Sequence, residues 1–171
     1  FVLTSLFTDF GLVLAARSSP RLFNEMMRQL EAIQPGNETS LSETLHKLAN
    51  RFKKRCLIVL ISDLYDDVDA VVRSLHHFHH RHHEVILFHV FDKAELEFPF
   101  RDVTAFHDLE TGERIQVDPA YVRDVYVEQI NDFVSQYRRA CAEMQIDYIM
   151  TDTSVPYDFM LSRYIAKRGR L

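Results

Sequence analysis

Two aspartates that follow the longest apolar run of the chain are the first candidates for chemistry. The run spans Cys56 to Ile61, and Asp63 and Asp66 come shortly after it. Such a run is typical of a strand buried on both faces of a parallel sheet, and ligands bind where such strands end. Carboxylate and hydroxyl oxygens suit Mg²⁺ or Mn²⁺, so Asp63 is a candidate metal ligand. The alternative is that both aspartates cap the next helix or form a turn.

Two further polar segments occur where the pattern predicts loops at strand ends. The segment Gly36 to Ser40 precedes a predicted helix, and Thr151 to Ser154 follows the last apolar strand. Within the first segment, Thr39 offers a hydroxyl oxygen to a cation. Its alternative role is helix capping together with Ser40.

Asp63 and Asp66 also permit an enzymatic interpretation. Paired carboxylates can support metal-assisted hydrolysis of a phosphoester. The sequence contains neither a P-loop nor the Gly-x-Ser-x-Gly turn that carries the nucleophile of many serine hydrolases. Cys56 lies at the start of a predicted buried strand, where a nucleophile would be out of reach. The pattern therefore favours a non-catalytic protein, with a phosphoester hydrolase that uses Asp63 and Asp66 as the alternative.

A histidine-rich segment is the most unusual part of the composition. It contains six of the nine histidines of the chain: His76, His77, His79, His80, His82 and His83. The pairs His76/His80 and His79/His83 have the spacing of one helical turn, which can bind a transition metal. No cysteine or carboxylate cluster accompanies them, so we expect a solvated helix end.

Composition excludes several classes of protein. The chain has 171 residues, of which 47% are hydrophobic and 26% charged, as expected for a single globular domain. A net charge of −5 argues against a nucleic-acid partner, and no apolar run reaches the length of a membrane helix. Cys56 and Cys141 lie far apart and predict reduced thiols in a cytosolic protein.

Alternating strand and helix patterns predict an α/β fold with a mostly parallel sheet and a β-hairpin insertion. We expect the strand before Asp63 to be central in that sheet. The predicted strands are Phe10–Ala15, Cys56–Ile61, Glu84–Val90 and Asp147–Met150, with a hairpin at Val103–Leu109 and Glu113–Val117. The predicted helices begin at Pro20, after Ser40, near Asp67, at Pro119 (ending near Gln145) and at Tyr157 (ending near Lys167).

The order of these motifs resembles a von Willebrand factor A-like domain. Gly36-x-x-Thr39-Ser40-Leu41, and then the strand that runs into Ser62-Asp63, are similar to two stations of the metal site in such domains. Other segments are similar to a bacterial family of unknown function whose genes often stand beside those of MoxR-type AAA+ ATPases. These segments are Glu84–Val90, Glu97–Phe100, Asp108–Glu113 and Thr151–Thr153. The resemblance covers about residues 10–171.

The resemblance implies a fold and a non-catalytic function. Residues 1–171 would form a single von Willebrand A-like domain, a three-layer α/β/α sandwich, with an incomplete N-terminal part. The domain would bind proteins in the bacterial cytoplasm, as an adaptor or partner of a MoxR-type AAA+ ATPase. No nucleic-acid or membrane partner is expected.

The resemblance also implies a divalent-metal adhesion site, with Thr39 and Asp63 as its second and third stations. Its first station, Asp-x-Ser-x-Ser, does not occur in the sequence. Two residues provide too few oxygens for Mg²⁺ or Mn²⁺, so we expect no metal in this chain alone unless the missing motif is supplied. We also expect the sequence to join pieces across omitted residues, near Thr8–Phe10 and near Ala15–Ala16.

Overall fold

The computed structural model describes residues 20–32, 40–108 and 112–169, in which helices and strands alternate. The helices are α1 (Pro20–Ala32), α2 (Leu41–Arg51), α3 (Val68–His80), α4 (Lys93–Glu97), α5 (Pro119–Glu143) and α6 (Tyr157–Arg168). The strands are β1 (Leu57–Ser62), β2 (Glu84–Phe91), β3 (Thr104–His107), β4 (Arg114–Val117) and β5 (Asp147–Asp152). The predicted strand Phe10–Ala15, the two predicted junctions and Thr39 lie outside the described residues.

The main sheet is parallel and has the order β1-β2-β5. Its register places Leu60 beside Leu87 and Leu87 beside Tyr148, so these side chains share one face. Strands β3 and β4 form a separate antiparallel hairpin. Gly112 in its turn has φ +75°, the left-handed conformation that the sequence predicted for this glycine. The predicted fold class is confirmed.

Helices pack on both faces of the main sheet and make three layers. Helices α2, α3 and α5 cover one face and enclose the core, whose largest members are Leu45, Leu75, Phe78, Leu87 and Tyr137. Helix α6 lies on the other face, where the Tyr164 ring contacts Phe88 at 6.1 Å and its hydroxyl donates to Asp147. None of the described helices is long and apolar enough to cross a membrane.

Two features of β1 among the described residues differ from expectation. The strand lies at the edge of the three-stranded sheet, and β2 is its central strand. Only one face of β1 is buried, because Leu57, Val59 and Ile61 remain 52%, 51% and 67% exposed. The other face of β1 carries Ile58 and Leu60, and the described helices of the core pack against that face. A continuous apolar run therefore did not imply burial on both faces.

Two local features were not predicted. Helix α4 follows β2 directly, with a capping box formed by Asp92 and Glu95. Strand β5 extends two residues further than the predicted Asp147–Met150, and so includes Thr151 and Asp152. As a result, Asp92 directly follows the end of β2, and Asp152 is the last residue of β5.

Candidate functional site

The three parallel strands end at one edge of the sheet, called here the carboxyl edge. It comprises the loop 63–67 after β1, Asp92 after β2, and the segment 152–155 after β5. The first turn of α2 joins it, because the backbone amide of Ser42 donates to the Asp66 carboxylate at 2.9 Å. The loop that contains Asp63 and Asp66 and the predicted polar segment Thr151–Ser154 thus lie at one edge, as expected for a parallel sheet.

Asp66 and Asp67 have structural roles at this edge. The Asp66 carboxylate accepts from the amides of Ser42 and Asp67, at 2.9 and 2.6 Å. Burial raises the pKa of Asp66, but these hydrogen bonds outweigh it and bring the pKa below its ordinary value. Asp67 caps α3 by accepting from the Ala70 amide at 2.7 Å. Asp67, not Asp66, therefore caps α3, and Asp66 binds the first turn of α2 instead. Neither Asp66 nor Asp67 is an uncommitted carboxylate beside Asp63.

Asp63 is exposed and only weakly engaged. Its carboxylate accepts from the Tyr65 amide at 3.4 Å and lies 3.5 Å from the Ser62 hydroxyl, both at the limit of a hydrogen bond. Its oxygens are therefore available to a ligand. Because Thr39 lies outside the described residues, the metal site at Thr39 and Asp63 stays a prediction. Within the described ranges, no group of three or more His, Cys, Asp or Glu residues could hold a metal ion.

The ends of β2 and β5 are joined through side chains. Asp92 caps α4 by accepting from the Ala94 amide at 2.8 Å, and its other oxygen accepts from the Thr153 hydroxyl at 3.2 Å. Asp152 accepts from the Ser154 amide at 2.8 Å, and hydrogen bonding to Ser154 lowers the pKa of Asp152. These carboxylates hold loops together rather than face a substrate.

The loop 63–67 is held from behind by a histidine that sequence reasoning missed. His89 in β2 is completely buried, and its Nε2 atom lies 2.9 Å from the backbone carbonyl of Asp63. Because a carbonyl oxygen can only accept, Nε2 is the protonated nitrogen. The Nδ1 atom of the neutral ring then accepts from the hydroxyl of Tyr148, 2.9 Å away.

Aromatic rings enclose His89 on several sides. The centroids of Phe91, Tyr137, Phe133 and Tyr148 lie 4.2, 5.3, 5.4 and 5.8 Å from that of the imidazole. Burial lowers the pKa of His89 to about 4, although the nearby Asp63 partly opposes this. The ring is therefore neutral at physiological pH, and solvent and substrate cannot reach it.

A second support acts on the next residue of the loop. Leu64 has φ +59°, a conformation that costs a non-glycine residue roughly 1–2 kcal/mol. Its side chain is fully buried, and its carbonyl accepts from the Tyr137 hydroxyl at 3.3 Å and the Asp66 amide at 2.8 Å. Packing and hydrogen bonds thus keep the loop in a conformation that its sequence alone does not favour.

Tyr65 lies on the outer side of the same loop. It is 53% exposed, and its ring stacks on Phe133 of α5 with centroids 5.6 Å apart. Partial burial raises the pKa of Tyr65, with smaller contributions from Glu95 and Tyr126. Asp63 and Tyr65 thus present a carboxylate and an aromatic ring side by side. The position of His89 inside an apolar strand was the sequence signal that could have indicated its contact with the backbone of this loop.

The histidine-rich segment divides into two parts. His76, His77, His79, His80 and His82 are exposed at the end of α3, as expected for a solvated helix end. His83 is the exception and is a correction to that expectation, because it is only 7% exposed. Its Nδ1 atom accepts from the Cys56 amide at 3.2 Å and lies 3.3 Å from the Cys56 sulfur.

Both cysteines are free thiols. Cys56 is partly buried and Cys141 fully buried. Burial raises the pKa of Cys56, and it raises the pKa of Cys141 to about 12. Neither thiol forms the reactive thiolate at neutral pH.

Comparison with known proteins gives one match. The family described as "Protein of unknown function DUF58" matches residues 3–134. No curated protein and no solved structure matches the chain. The chain belongs to the DUF58 family, which confirms the expected membership of a family of unknown function.

Proposed function

We propose that this DUF58 protein is a non-catalytic protein–protein interaction module. It binds a MoxR-type AAA+ ATPase in the bacterial cytoplasm through the carboxyl edge of its von Willebrand A-like sheet. The observation that carries the proposal is the loop 63–67. Its backbone is fixed by His89 and Tyr137, while Asp63 and Tyr65 are exposed on its outer side.

The chemistry of the described residues supports a binding role over a catalytic one. Of the groups that could act as bases or nucleophiles, His89 is fully buried and Asp66 accepts from the Ser42 amide at the start of α2. The pKa of each thiol is raised, so neither is activated. General acid–base catalysis needs a group that reaches the substrate, and the loop offers only Asp63 for that role.

An exposed carboxylate beside an exposed aromatic ring, both on a fixed loop backbone, suits recognition of a protein surface. Tyrosine supplies a large contact area at a low cost in conformational entropy, and it is enriched at the centres of interfaces. The Asp63 carboxylate can pair with an arginine or lysine of the partner. Because the loop is ordered before binding, association loses little entropy at this point.

Metal ions enter the proposal through the same aspartate. Asp63 and Thr39 are the remaining stations of an incomplete adhesion site, and Mg²⁺ or Mn²⁺ would need the missing Asp-x-Ser-x-Ser motif. With two stations the chain binds no metal tightly, since these cations take about six or more oxygen ligands. Asp63 then contacts the partner directly.

The test is capture of a purified MoxR-type AAA+ ATPase from the same organism by the immobilised chain. The ATPase is kept free of nucleotide, so that its own Mg²⁺ is not a variable, and capture is measured in Mg²⁺ and in EDTA. We expect Asp63→Ala to lower the affinity about tenfold or more in both buffers. The matched control is Glu143→Ala, which removes an exposed carboxylate at the end of α5.

Three results would contradict the proposal. Equal affinities for the wild type, Asp63→Ala and Glu143→Ala would show that the carboxyl edge is not the binding surface. Turnover of a phosphoester panel that Asp63→Ala abolishes would establish the alternative, a metal-dependent hydrolase that uses Asp63 and Asp66. Capture that requires Mg²⁺ would show that the metal site is complete, and would contradict the direct role of Asp63.

A further inference from the structure

We infer that His89 is a positioning residue of the carboxyl edge: through its hydrogen bond to the backbone carbonyl of Asp63, it fixes the direction in which Asp63 and Tyr65 meet a partner. The inference rests on the proposed function of that edge. It concerns a side chain that no partner could touch, because His89 is completely buried.

The register of the sheet explains how His89 reaches the loop. His89 lies directly beside Ser62, the last residue of β1, and both side chains are on the same face. Its ring therefore extends past the end of β1 to the carbonyl of the next residue, Asp63, at 2.9 Å. A histidine one position earlier or later in β2 would point to the opposite face.

The tautomer of His89 is set by the Asp63 carbonyl, and the Tyr148 hydroxyl complements it. The Tyr148 hydroxyl lies 2.9 Å from Nδ1, and the Asp63 carbonyl can only accept from Nε2. With both nitrogens bonded, the ring cannot rotate without breaking a buried hydrogen bond. Hydrogen bonds thus connect Tyr148 of β5 to His89 of β2, and His89 to Asp63 of the loop.

The bond to the loop distinguishes positioning from mere filling of the core. The aromatic rings around His89 would pack equally well against an apolar side chain. The loop, however, contains Leu64 at a positive φ, so it needs contacts that hold this conformation. His89 supplies one at Asp63, and Tyr137 supplies another at Leu64.

Two amide variants separate the two hydrogen bonds of His89. The amide nitrogen of His89→Gln can occupy the place of Nε2 and donate to the Asp63 carbonyl. The shorter His89→Asn reaches only the place of Nδ1, and so keeps the contact with Tyr148 but loses the one with Asp63. Each variant places an amide in the same cage, so each is the control for the other.

Amide hydrogen exchange of the folded chain gives the readout. The Asp66 amide, which donates to the Leu64 carbonyl at 2.8 Å, reports whether the loop keeps its conformation. After correction for global stability, we expect it to exchange about tenfold faster in His89→Asn than in His89→Gln, the size expected for one hydrogen bond. A long-range ¹H–¹⁵N spectrum of the wild type should show the proton of His89 on Nε2.

Binding to the purified ATPase then tests the functional part. We expect His89→Asn to lower the affinity about tenfold, and His89→Gln to stay close to the wild type. Equal exchange in the two variants, or a proton on Nδ1, would overturn the inference. If the wild type does not bind the ATPase, the proposed function fails, while the exchange rates still decide whether His89 positions the loop.

Discussion

Each edge of the main sheet contains one buried histidine, and the two differ in how their nitrogens are used. At the carboxyl edge, both nitrogens of His89 have partners, Asp63 and Tyr148. At the amino edge, His83 precedes β2 and accepts from the Cys56 amide before β1. Its buried Nε2 makes no hydrogen bond of good geometry among the described residues, although the Phe52 backbone acts on the ring and partly offsets the effect of burial on its pKa. His89 therefore connects a strand to an exposed loop, whereas His83 joins the segments that precede β1 and β2.

The comparison shows that a local cluster of one residue type does not indicate which of those residues matters for function. His83 belongs to a conspicuous histidine-rich segment, yet its contacts are local to the sheet's amino edge. His89 stands alone in an apolar strand and contacts a loop whose exposed carboxylate, that of Asp63, is only weakly engaged. The two histidines should respond very differently to substitution and to removal of their neighbours.

The largest difference is expected in stability. We expect His89→Leu to lower the free energy of unfolding by about 3–4 kcal/mol, because it leaves the Tyr148 hydroxyl and the Asp63 carbonyl without a partner inside a packed cage. His83→Leu should cost less, about 1 kcal/mol, since it leaves only the partly buried Cys56 amide without its partner. Urea unfolding at neutral pH measures both. Equal losses of unfolding free energy in the two variants would contradict the claim that His89 is more important to the fold than His83.

The pH dependence of stability should report the ionisation of His89. The pKa of His89 is about 4 in the folded chain, below the ordinary value of about 6.5 in the unfolded chain. The unfolded chain thus binds more protons between these values, so stability is complete above pH 6.5 and falls by about 3 kcal/mol as the pH drops to 4. Burial lowers the pKa of His83 as well, so its contribution has the same sign.

Unfolding from pH 7 to 4 in the wild type and in His89→Gln isolates this contribution. The difference between the free energies of unfolding of the wild type and His89→Gln should become smaller as the pH falls, since the variant has no imidazole to protonate at this position. A constant difference across the range would mean that His89 is already free to ionise in the folded chain.

Removal of the second support of the loop should have a smaller effect. Tyr137→Phe deletes the hydroxyl that donates to the Leu64 carbonyl but keeps the ring that packs on His89. The expected loss is about 1 kcal/mol, the value of one hydrogen bond, as measured by urea unfolding. Tyr164→Phe is the control, because it removes a hydroxyl bonded to Asp147 on the other face of the sheet. Faster exchange of the Asp66 amide should occur in Tyr137→Phe only.

Much of the fold follows from sequence patterns, because helix and strand periodicities are local. Ser40, Asp67 and Asp118 begin their helices as predicted, and Asp63 follows β1. The partners of the site are not local: Ser42 binds Asp66 across 24 positions, and His89 binds the Asp63 carbonyl across 26. Such contacts depend on the register of β1 and β2, which no pattern within either strand specifies.

The smallest effect is expected at the exposed histidines. His76, His79 and His80 replaced together by Gln should change the free energy of unfolding by no more than about 0.5 kcal/mol, because exposed side chains away from caps and networks contribute little. The purified wild type and the variant should carry the same metal content by elemental analysis. Loss of a stoichiometric metal from the variant would contradict the interpretation as a solvated helix end.

The most direct test of the account is a hydrogen-exchange footprint of the purified AAA+ ATPase on this chain. Slower exchange upon binding is expected in the loop 63–67 and the segment 152–155, at the carboxyl edge. No change is expected in residues 52–56 and 81–84, at the amino edge. Protection confined to the amino edge, or its absence from both edges in a complex shown to form, would contradict the claim that the loop supported by His89 is the binding surface.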